Sequence, residues 1–446
     1  MKSLRSLIAA VLAVPISFAC AGPGLCKVVY VNAARPYTAK VTLKTGVALL
    51  GGFAGTETAR EQRDWVARVT ILDGNASGPA VTFPSGADAS TVLDGFTIRN
   101  CSVALGASSA KAVVCFGSPR ISHNTFVGNK GRVAVVSCSG GSPTIVGNVI
   151  TANSGSGLSV STSTAKILNN TLVSNSGAAI YSSNSPATIA NNIIACNRQG
   201  IVSPYPVHPT LKNNCVYGNG FGDYSPEIAP GEADMNVDPK LAAPAYGKLH
   251  IQPDSPCVDA GDGSESEPGY VDIDGQAGPR DGNGDGVATV DIGADESDGT
   301  VWGFAPAIVR VTTAGNDDND GSGWEPERAK RTVQAAINAA GIQGGEAWVS
   351  AGTYAERITL SQHYVYVYGG FAGSEDTRDS RDWRTNRTVL DGEAGGIVVT
   401  VTTPGMGLNC VDGFTIRNGQ GGLLRRGVLL GFLTSDSQQP HHRQLK

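Results

Sequence analysis

Short apolar runs alternate with turn residues along most of the chain, and before Asn219 they recur in one fixed pattern. Each repeat has an apolar residue, two further residues, an asparagine, and a second asparagine five positions after the first. The first asparagine of each repeat recurs every 22 to 24 residues, at Asn124, Asn148, Asn170, Asn192 and Asn214. A fixed period of this length indicates a repeat architecture. Three short strands and their turns fill one period, which predicts stacked rungs of parallel strands.

Like positions of successive rungs stack about 4.8 Å apart, so the repeat predicts columns of similar side chains. Two apolar columns are expected inside: Ile121, Ile145, Ile167, Ile189 and Leu211, and Phe126, Ile150, Leu172, Ile194 and Val216. A third column is predicted to be a ladder of asparagines: Asn100, Asn129, Asn153, Asn175, Asn197 and Asn219. Stacked amides can donate to and accept from one another, so only the ladder ends need other partners. The alternative is that these asparagines favour left-handed turns and face water.

Part of the chain is duplicated. Residues 51–74 return at 369–392, at a constant offset of 318, with 14 of 24 positions identical. The phrase Asp-Gly-Phe-Thr-Ile-Arg-Asn occurs at 94–100 and again at 412–418. Apolar residues at helical spacing predict a capping helix near 332–340 in the second copy. The sequence therefore predicts two related modules, of which the second is incomplete because the asparagine repeat does not follow it.

The start of the chain resembles a secretory signal peptide, since Lys2 and Arg5 precede an apolar run and a small-x-small cleavage pattern. The tail does not continue the repeat, and we interpret it as a truncated or frame-shifted reading. The predicted domains are a signal peptide at 1–21, a parallel β-helix with an acidic C-terminal segment at 22–300, the N-terminal part of a second β-helix module at 301–422, and an atypical basic tail at 423–446.

Glycine makes up 58 of 446 residues, which indicates many tight turns. Eight cysteines follow the predicted cleavage site, and export permits disulfides. Cys115 and Cys138 are one period apart and could bridge neighbouring rungs. We favour the alternative that they are small buried core residues with free thiols.

The repeated phrase, placed after Leu93-Asp-Gly-Phe-Thr-Ile-Arg-Asn100, resembles right-handed parallel β-helix proteins of the pectate-lyase-like superfamily, especially secreted bacterial repeat proteins. The stretches 255–261 and 291–296 resemble the closing segments of such domains. The resemblance implies an all-β, right-handed parallel β-helix in a protein that is secreted or held at the cell surface. It implies less about function, because one fold supports many activities.

Pectate lyases and polygalacturonases belong to that superfamily, and their chemistry requires carboxylates on the strand faces. No Asp or Glu occurs between Asp94 and Asp223, which excludes a carboxylate dyad on the regular rungs. The same span contains eight basic residues, whereas 223–299 contains 18 acidic and three basic ones. We hypothesise that the basic flank attracts anionic glycans over long range. The alternative is a solvated surface with ordinary scattered charges.

The acidic stretch contains one candidate calcium loop. Asp281, Asn283 and Asp285 occupy positions 1, 3 and 5 of an EF-hand-like loop, and Asp291 falls at position 11. Ile292 holds position 12, where a bidentate glutamate is expected. The sequence thus predicts a Ca²⁺ site at Asp281, Asn283, Asp285 and Asp291, and the alternative is an Asp/Gly-rich turn.

From these patterns we interpret the chain as an exported β-helix scaffold that binds anionic polysaccharide or other cell-surface components without its own catalysis. One alternative is a degenerate or atypical polysaccharide lyase or glycoside hydrolase. Another is a truncated, non-functional fragment of a larger β-helix array. We expect neither a nucleic-acid partner nor a transmembrane segment.

Overall fold

The computed structural model describes residues 17–19, 27–38, 40–102, 111–266, 269–341, 344–402 and 409–420. Within them the chain divides into two compact units, the first ending at Ala305 and the second beginning at Pro306. The fold is an all-β right-handed parallel β-helix, as predicted. In the described part of the chain, no helix has the length and apolar character needed to cross a membrane.

Three long sheets form the sides of the first unit, and a regular rung contributes one strand to each. The first sheet contains Ser17–Ala19, Lys27–Asn32, Val47–Phe53, Val92–Asp94, Arg120–Ser122, Thr144–Val146, Lys166–Leu168, Thr188–Ala190 and Thr210–Lys212. The second sheet contains Thr70–Asp73, Phe96–Arg99, Thr125–Val127, Val149–Thr151, Thr171–Val173, Ile193–Ala195 and Cys215–Tyr217. The third sheet contains Val41–Thr42, Val81–Thr82, Val113–Phe116, Lys130–Ser139, Ser154–Ser161, Ala178–Ser183 and Gln199–Val202.

Neighbouring strands of these sheets are parallel, except for the antiparallel first pair of the first sheet. After the last rung, Leu241–Ala243 and Lys248–Ile251 form a small antiparallel sheet. Two short 3₁₀ turns lie at Arg60–Gln62 and Pro244–Tyr246.

The pairing register confirms both apolar columns. Ile121 pairs with Ile145, and Ile145 pairs with Ile167. Phe126 and Ile150 pair in the same way in the second sheet. All of these side chains are buried in one continuous core. Complete burial of a side chain of this size contributes roughly 1.5–3 kcal/mol, so the interior columns are a main source of stability for the stacked rungs.

The second unit has shorter sheets and one helix. Its strands are Ala307–Val311, Gly345–Ser350, Val365–Phe371 and Asn409–Asp412 in one sheet, Gly352–Tyr354, Thr388–Asp391 and Phe414–Arg417 in another, and Ile358–Leu360 with Val399–Val401 in a third. The helix is Val333–Ala340, and a 3₁₀ turn lies at Arg378–Ser380. Thr332 caps the helix by accepting a hydrogen bond from Ala335 N, and the apolar face of the helix is buried.

The duplicated Gly-Gly-Phe-Ala-Gly phrase makes the same close backbone contact in both units. A Cβ atom on Gly51 would lie 2.2 Å from the carbonyl oxygen of Gly95, and one on Gly369 would lie 2.6 Å from that of Gly413. The next residue, Gly52, has a φ of +89°, in the region that favours glycine. The corner therefore admits no side chain, which explains why both copies have the phrase.

Candidate functional site

Two ladders of buried asparagines run along the first unit, one before and one after the strands of the second sheet. In both, the side-chain oxygen of one asparagine accepts from the backbone N and the Nδ2 of the asparagine on the preceding rung. Asn148, for example, accepts from Asn124 at 3.0 and 3.1 Å. The first ladder contains Asn124, Asn148, Asn170, Asn192 and Asn214, and the second contains Asn129, Asn153, Asn175, Asn197 and Asn219.

Each ladder ends on an aspartate. Asn214 donates from its backbone N and Nδ2 to Asp234 Oδ1 at 2.8 and 2.9 Å. Asn219 donates in the same way to Asp223 Oδ1 at 3.0 and 2.6 Å. Because an ionised carboxylate only accepts, it suits the end of the ladder at which donors remain.

The prediction that Asn100 belongs to the second ladder is wrong. The register places Cys101 opposite Asn129, and Cys101 N donates to Asn129 Oδ1 at 3.0 Å. Asn100 has a φ of +55°, and its exposed side chain donates to Asp73 Oδ1 at 3.0 Å. Asn418 makes the equivalent bond in the second unit. Asn100 is therefore a turn residue of the duplicated phrase and lies one position before the ladder.

Residues 255–266 and 269–299, which we call the acidic segment, lie against the outside of successive rungs of the first unit. They contact the residues that precede asparagines of the first ladder and that have φ near +50°. The contacts are His123 Nε2 to Val271 O (3.0 Å), Asn169 Nδ2 to Asp291 O (3.0 Å), Asn191 Nδ2 to Asp262 O (3.1 Å) and Asn213 Nδ2 to Ala260 O (3.0 Å). Apolar residues of the segment also pack on outward-facing side chains of the first and second sheets. The segment therefore covers the bend between these two sheets.

A buried charged cluster lies at one end of the contact between the acidic segment and the rungs, around His123. Asp94, 1% exposed, accepts from Ser122 Oγ at 2.6 Å and lies 3.0 Å from His123 Nδ1. Arg63 forms an ion pair with Asp94, with 2.6 Å between Nη2 and Oδ1. Burial alone would raise the pKa of Asp94, but His123 and then Arg63 and Ser122 hold that pKa well below its ordinary value.

Trp65 encloses the cluster. Its ring stacks on His123 with 5.4 Å between centroids, and the Arg63 guanidinium lies 4.3 Å from the Trp65 ring. Its Nε1 donates to Ile273 O of the acidic segment at 2.6 Å. Both ring nitrogens of the buried His123 contact oxygens of the protein itself. This arrangement fits a structural network that joins the segment to the rungs.

Buried carboxylates hold the acidic segment together, because backbone amides there donate to side chains. Asp272 accepts from Asp274 N and Gln276 N, Asp291 from Asp259 N and Ser297 N, Asp295 from Ile251 N, and Glu296 from Asp291 N and Arg280 N. Burial raises the pKa of Asp272 to about 6, those of Asp291 and Asp295 to about 7, and that of Glu296 to about 8. The high acid content of this segment thus has a structural role.

The four predicted calcium ligands do not form one ligand set. Asp281 accepts from three amides of its own loop, at Gly284, Asp285 and Gly286. Asn283 and Asp285 lie exposed beside it, 3.3 Å apart between Nδ2 and Oδ2. Asp291 is instead buried, and its two oxygens accept from amides elsewhere in the segment at 2.6 Å. Asp281, Asp285 and Asp291 do not bring three ligand oxygens within 4.8 Å of one another.

A different group of metal-ligating side chains was missed by the sequence reasoning. His250, Asp274 and Asp295 each place one potential ligand atom within 4.8 Å of the others, the one such group of His, Cys, Asp and Glu in the described part of the chain. His250 Nε2 is 2.9 Å from Asp274 Oδ2, and the His250 ring stacks on Trp302 at 3.8 Å. The three ligands come from separate stretches, so no spacing in the sequence could have revealed them.

The acidic segment also neutralises part of the basic flank. Lys212 Nζ is 2.5 Å from Asp262 Oδ2, and Lys166 Nζ is 3.9 Å from Glu265 Oε2. Two of the eight basic residues between Asp94 and Asp223 are thus paired within the molecule by this segment.

The outward face of the third sheet is the accessible side of these rungs. Ser137, Ser159, Tyr181 and Val202 stand in register on this face, and all are half-buried. Tyr205, 48% exposed, lies beside Tyr181, whose pKa is raised by burial and by this neighbour. Strands Ser154–Ser161, Ala178–Ser183 and Gln199–Val202 contain no charged residue, whereas Lys130–Ser139 contains Lys130 and Arg132. The outward face is therefore uncharged along its last three strands.

Residues 81–230 match the sequence model of a family described as "Periplasmic copper-binding protein (NosD)". The match covers about a third of the chain and contains both asparagine ladders. No curated protein shows significant similarity to the chain. The similarity is consistent with export and, at a coarse level, with a periplasmic β-helix protein.

Proposed function

We propose that the chain is an exported β-helix scaffold that binds polysaccharide or another cell-surface partner and does not itself catalyse a reaction. The observation that carries this proposal is the asymmetry of the rungs. The acidic segment covers the bend between the first and second sheets, whereas the last three strands of the third sheet present an uncharged outward face. Solenoids commonly bind partners along extended surfaces of this kind.

The third-sheet face has the chemistry for stacking on sugar rings. Tyr181 and Tyr205 offer rigid aromatic surfaces with polar tips, and the neighbouring serines can exchange hydrogen bonds with hydroxyl groups. The internal pairing of Lys166 and Lys212 weakens the case for recognition by charge alone. We therefore propose that polysaccharide binds to the third-sheet face, and that the remaining basic residues attract anionic glycans only as a secondary effect.

Neither metal suggested so far fits its residues. For Ca²⁺, Asp291 is buried away from the loop of Asp281, and position 12 lacks a carboxylate. For copper, which appears in the description of the matched family, the described residues of 81–230 bring no three His, Cys, Asp or Glu ligands together. The proposal therefore assigns no metal to the third-sheet face.

The test is binding to a panel of neutral and uronate-containing polysaccharides by affinity electrophoresis. Replacing Tyr181 and Tyr205 with alanine together should weaken binding by about 30-fold, since two aromatic contacts of about 1 kcal/mol each sum to about 2 kcal/mol. Tyr217→Ala, at the end of the second sheet, is the matched control and should bind normally. No retention by any polysaccharide, or equal loss in the control, would contradict the proposal. Release of reducing ends or unsaturated products would instead favour the lyase or hydrolase alternative.

A further inference from the structure

The acidic segment and the strand before it bring three ligands of mixed chemistry to one point. His250 comes from strand Lys248–Ile251, whereas Asp274 and Asp295 come from two separate parts of the segment. Their ligand atoms lie within 4.8 Å of one another. One ion bound at about 2.0–2.2 Å from each requires separations of at most about 4.4 Å, so small side-chain movements are enough to complete the coordination. Stacking on Trp302 fixes the plane of the imidazole, and Ile251 N fixes Asp295 through a 2.8 Å hydrogen bond. The ligands are thus held in place by neighbouring groups.

The charge around this point is unbalanced. Asp272 lies close to Asp274 and Asp295, and in the described part of the chain the ion pair of this group is the one between His250 and Asp274. Burying several carboxylates near one another is costly unless a cation compensates them. A divalent cation would supply that compensation.

A second, independent observation comes from Tyr270. The residue is only 6% exposed, and its hydroxyl has no hydrogen-bond partner. Its surroundings are acidic, since Asp272, Asp295 and Glu296 all act on this hydroxyl. A buried polar group without a partner in the protein is rare, and a water or an ion held among these carboxylates would satisfy this hydroxyl.

The donor set selects the class of ion. Ca²⁺ prefers six to eight oxygen ligands, whereas one imidazole nitrogen with two carboxylates suits first-row transition metals. We propose that His250, Asp274 and Asp295 bind one divalent transition-metal ion, which joins strand Lys248–Ile251 to the acidic segment. This metal site is separate from the third-sheet face, and the proposal for it does not depend on polysaccharide binding there.

The test uses the full chain, stripped with a chelator, dialysed, and titrated with Zn²⁺ as a redox-inert probe. We expect one Zn²⁺ per chain by calorimetry and elemental analysis, with a rise in the melting temperature. Ca²⁺ in tenfold excess should not displace it. His250→Gln and Asp274→Asn should each weaken Zn²⁺ binding at least tenfold, with circular dichroism spectra checked against the parent protein.

Two control variants separate this site from others. His208→Gln removes a histidine of the rungs, and Asp281→Asn alters the loop predicted from sequence; both should bind Zn²⁺ like the parent protein. Absence of stoichiometric Zn²⁺ binding by the parent would overturn the proposal. So would unchanged binding by a folded His250→Gln protein, or loss of binding in either control.

Discussion

A single buried asparagine in this fold makes bonds in three directions. Asn175 donates to Ile150 O and to Asn197 Oδ1, and its own oxygen accepts from Asn153. Its backbone amide also donates to Asn197. No apolar residue of similar size can replace these bonds, because both neighbouring rungs would then contain unpaired polar groups.

We therefore expect Asn175→Ala to destabilise the first unit by roughly 2–4 kcal/mol, because it leaves several buried groups without partners. Asn100→Gly is the informative control, since the sequence pattern places Asn100 in the ladder and the structure places it in an exposed turn. Glycine suits its positive φ, so the loss should stay below about 1 kcal/mol. Urea denaturation followed by circular dichroism measures both, and equal losses would refute the assignment of Asn100 to the turn.

Asp94 makes the stability of the first unit depend on acid pH. Its pKa in the folded protein is lowered by His123, Arg63 and Ser122 despite burial, whereas an unfolded aspartate titrates near 3.9. A group with a depressed folded pKa stabilises the fold above its unfolded pKa and loses that contribution as the pH falls below it.

Asp94→Asn should accordingly cost about 3 kcal/mol at pH 5, because it leaves Arg63 and His123 buried without a counter-charge. The difference between the two proteins should shrink as the pH is lowered from 4 to 2. Urea midpoints of both proteins across this range provide the measurement. A difference that does not change with pH would mean that the carboxylate charge is not what stabilises the cluster.

At the scale of elements, the acidic segment forms an additional layer that packs on the first and second sheets. Cys257, near the start of the segment, lies in the same apolar cluster as Cys215 of the last second-sheet strand. A hydrogen bond to the Cys215 thiol, together with burial, raises the pKa of Cys257 well above its ordinary value. Both thiols are free in the structure, as are the stacked Cys115 and Cys138.

We predict that folding with oxidised glutathione joins Cys215 to Cys257. The two thiols would lose two protons and two electrons, and the glutathione disulfide would be reduced. Non-reducing peptide mapping should show the linked peptides, and the bond should stabilise the segment by about 4 kcal/mol for a loop of this length. Cys257→Ser should abolish the linkage, whereas Cys196→Ser, at an exposed thiol, should preserve it. Alkylation of both thiols after oxidative folding would disprove the pairing.

At the scale of the whole molecule, the sequence predicted the fold because the period determines which side chains stack. The columns of Ile121 and Phe126 follow directly from that period and were correct. Asn100 was misplaced because the rung before the repeat closes with a different turn, so that Cys101 takes the ladder position. Counting residues cannot detect such a shift of one position.

The candidate metal group was beyond sequence reasoning for another reason. The calcium prediction relied on ligands close together in sequence, but Asp291 is buried and accepts hydrogen bonds from the backbone amides of Asp259 and Ser297 outside the loop. His250, Asp274 and Asp295 meet only because the acidic segment folds back on the molecule. Neither the burial of Asp291 nor the meeting of these three side chains produces a periodic pattern in the sequence. The sequence shows that basic residues and acidic residues occupy different parts of the chain. It does not show that Lys166 and Lys212 of the basic part form ion pairs with the acidic segment.

The contact between the acidic segment and the rungs also limits how this protein can change in length during evolution. Solenoids grow by duplication of whole rungs, and one inserted rung adds about 4.8 Å of height. A rung inserted between Asn169 and Asn191 would separate these two residues from the carbonyls of Asp291 and Asp262 that they now reach together. The segment would need one or two extra residues at the matching point to restore both bonds. Insertions are therefore expected outside 123–213, and the number of rungs within it should vary only together with the length of the segment.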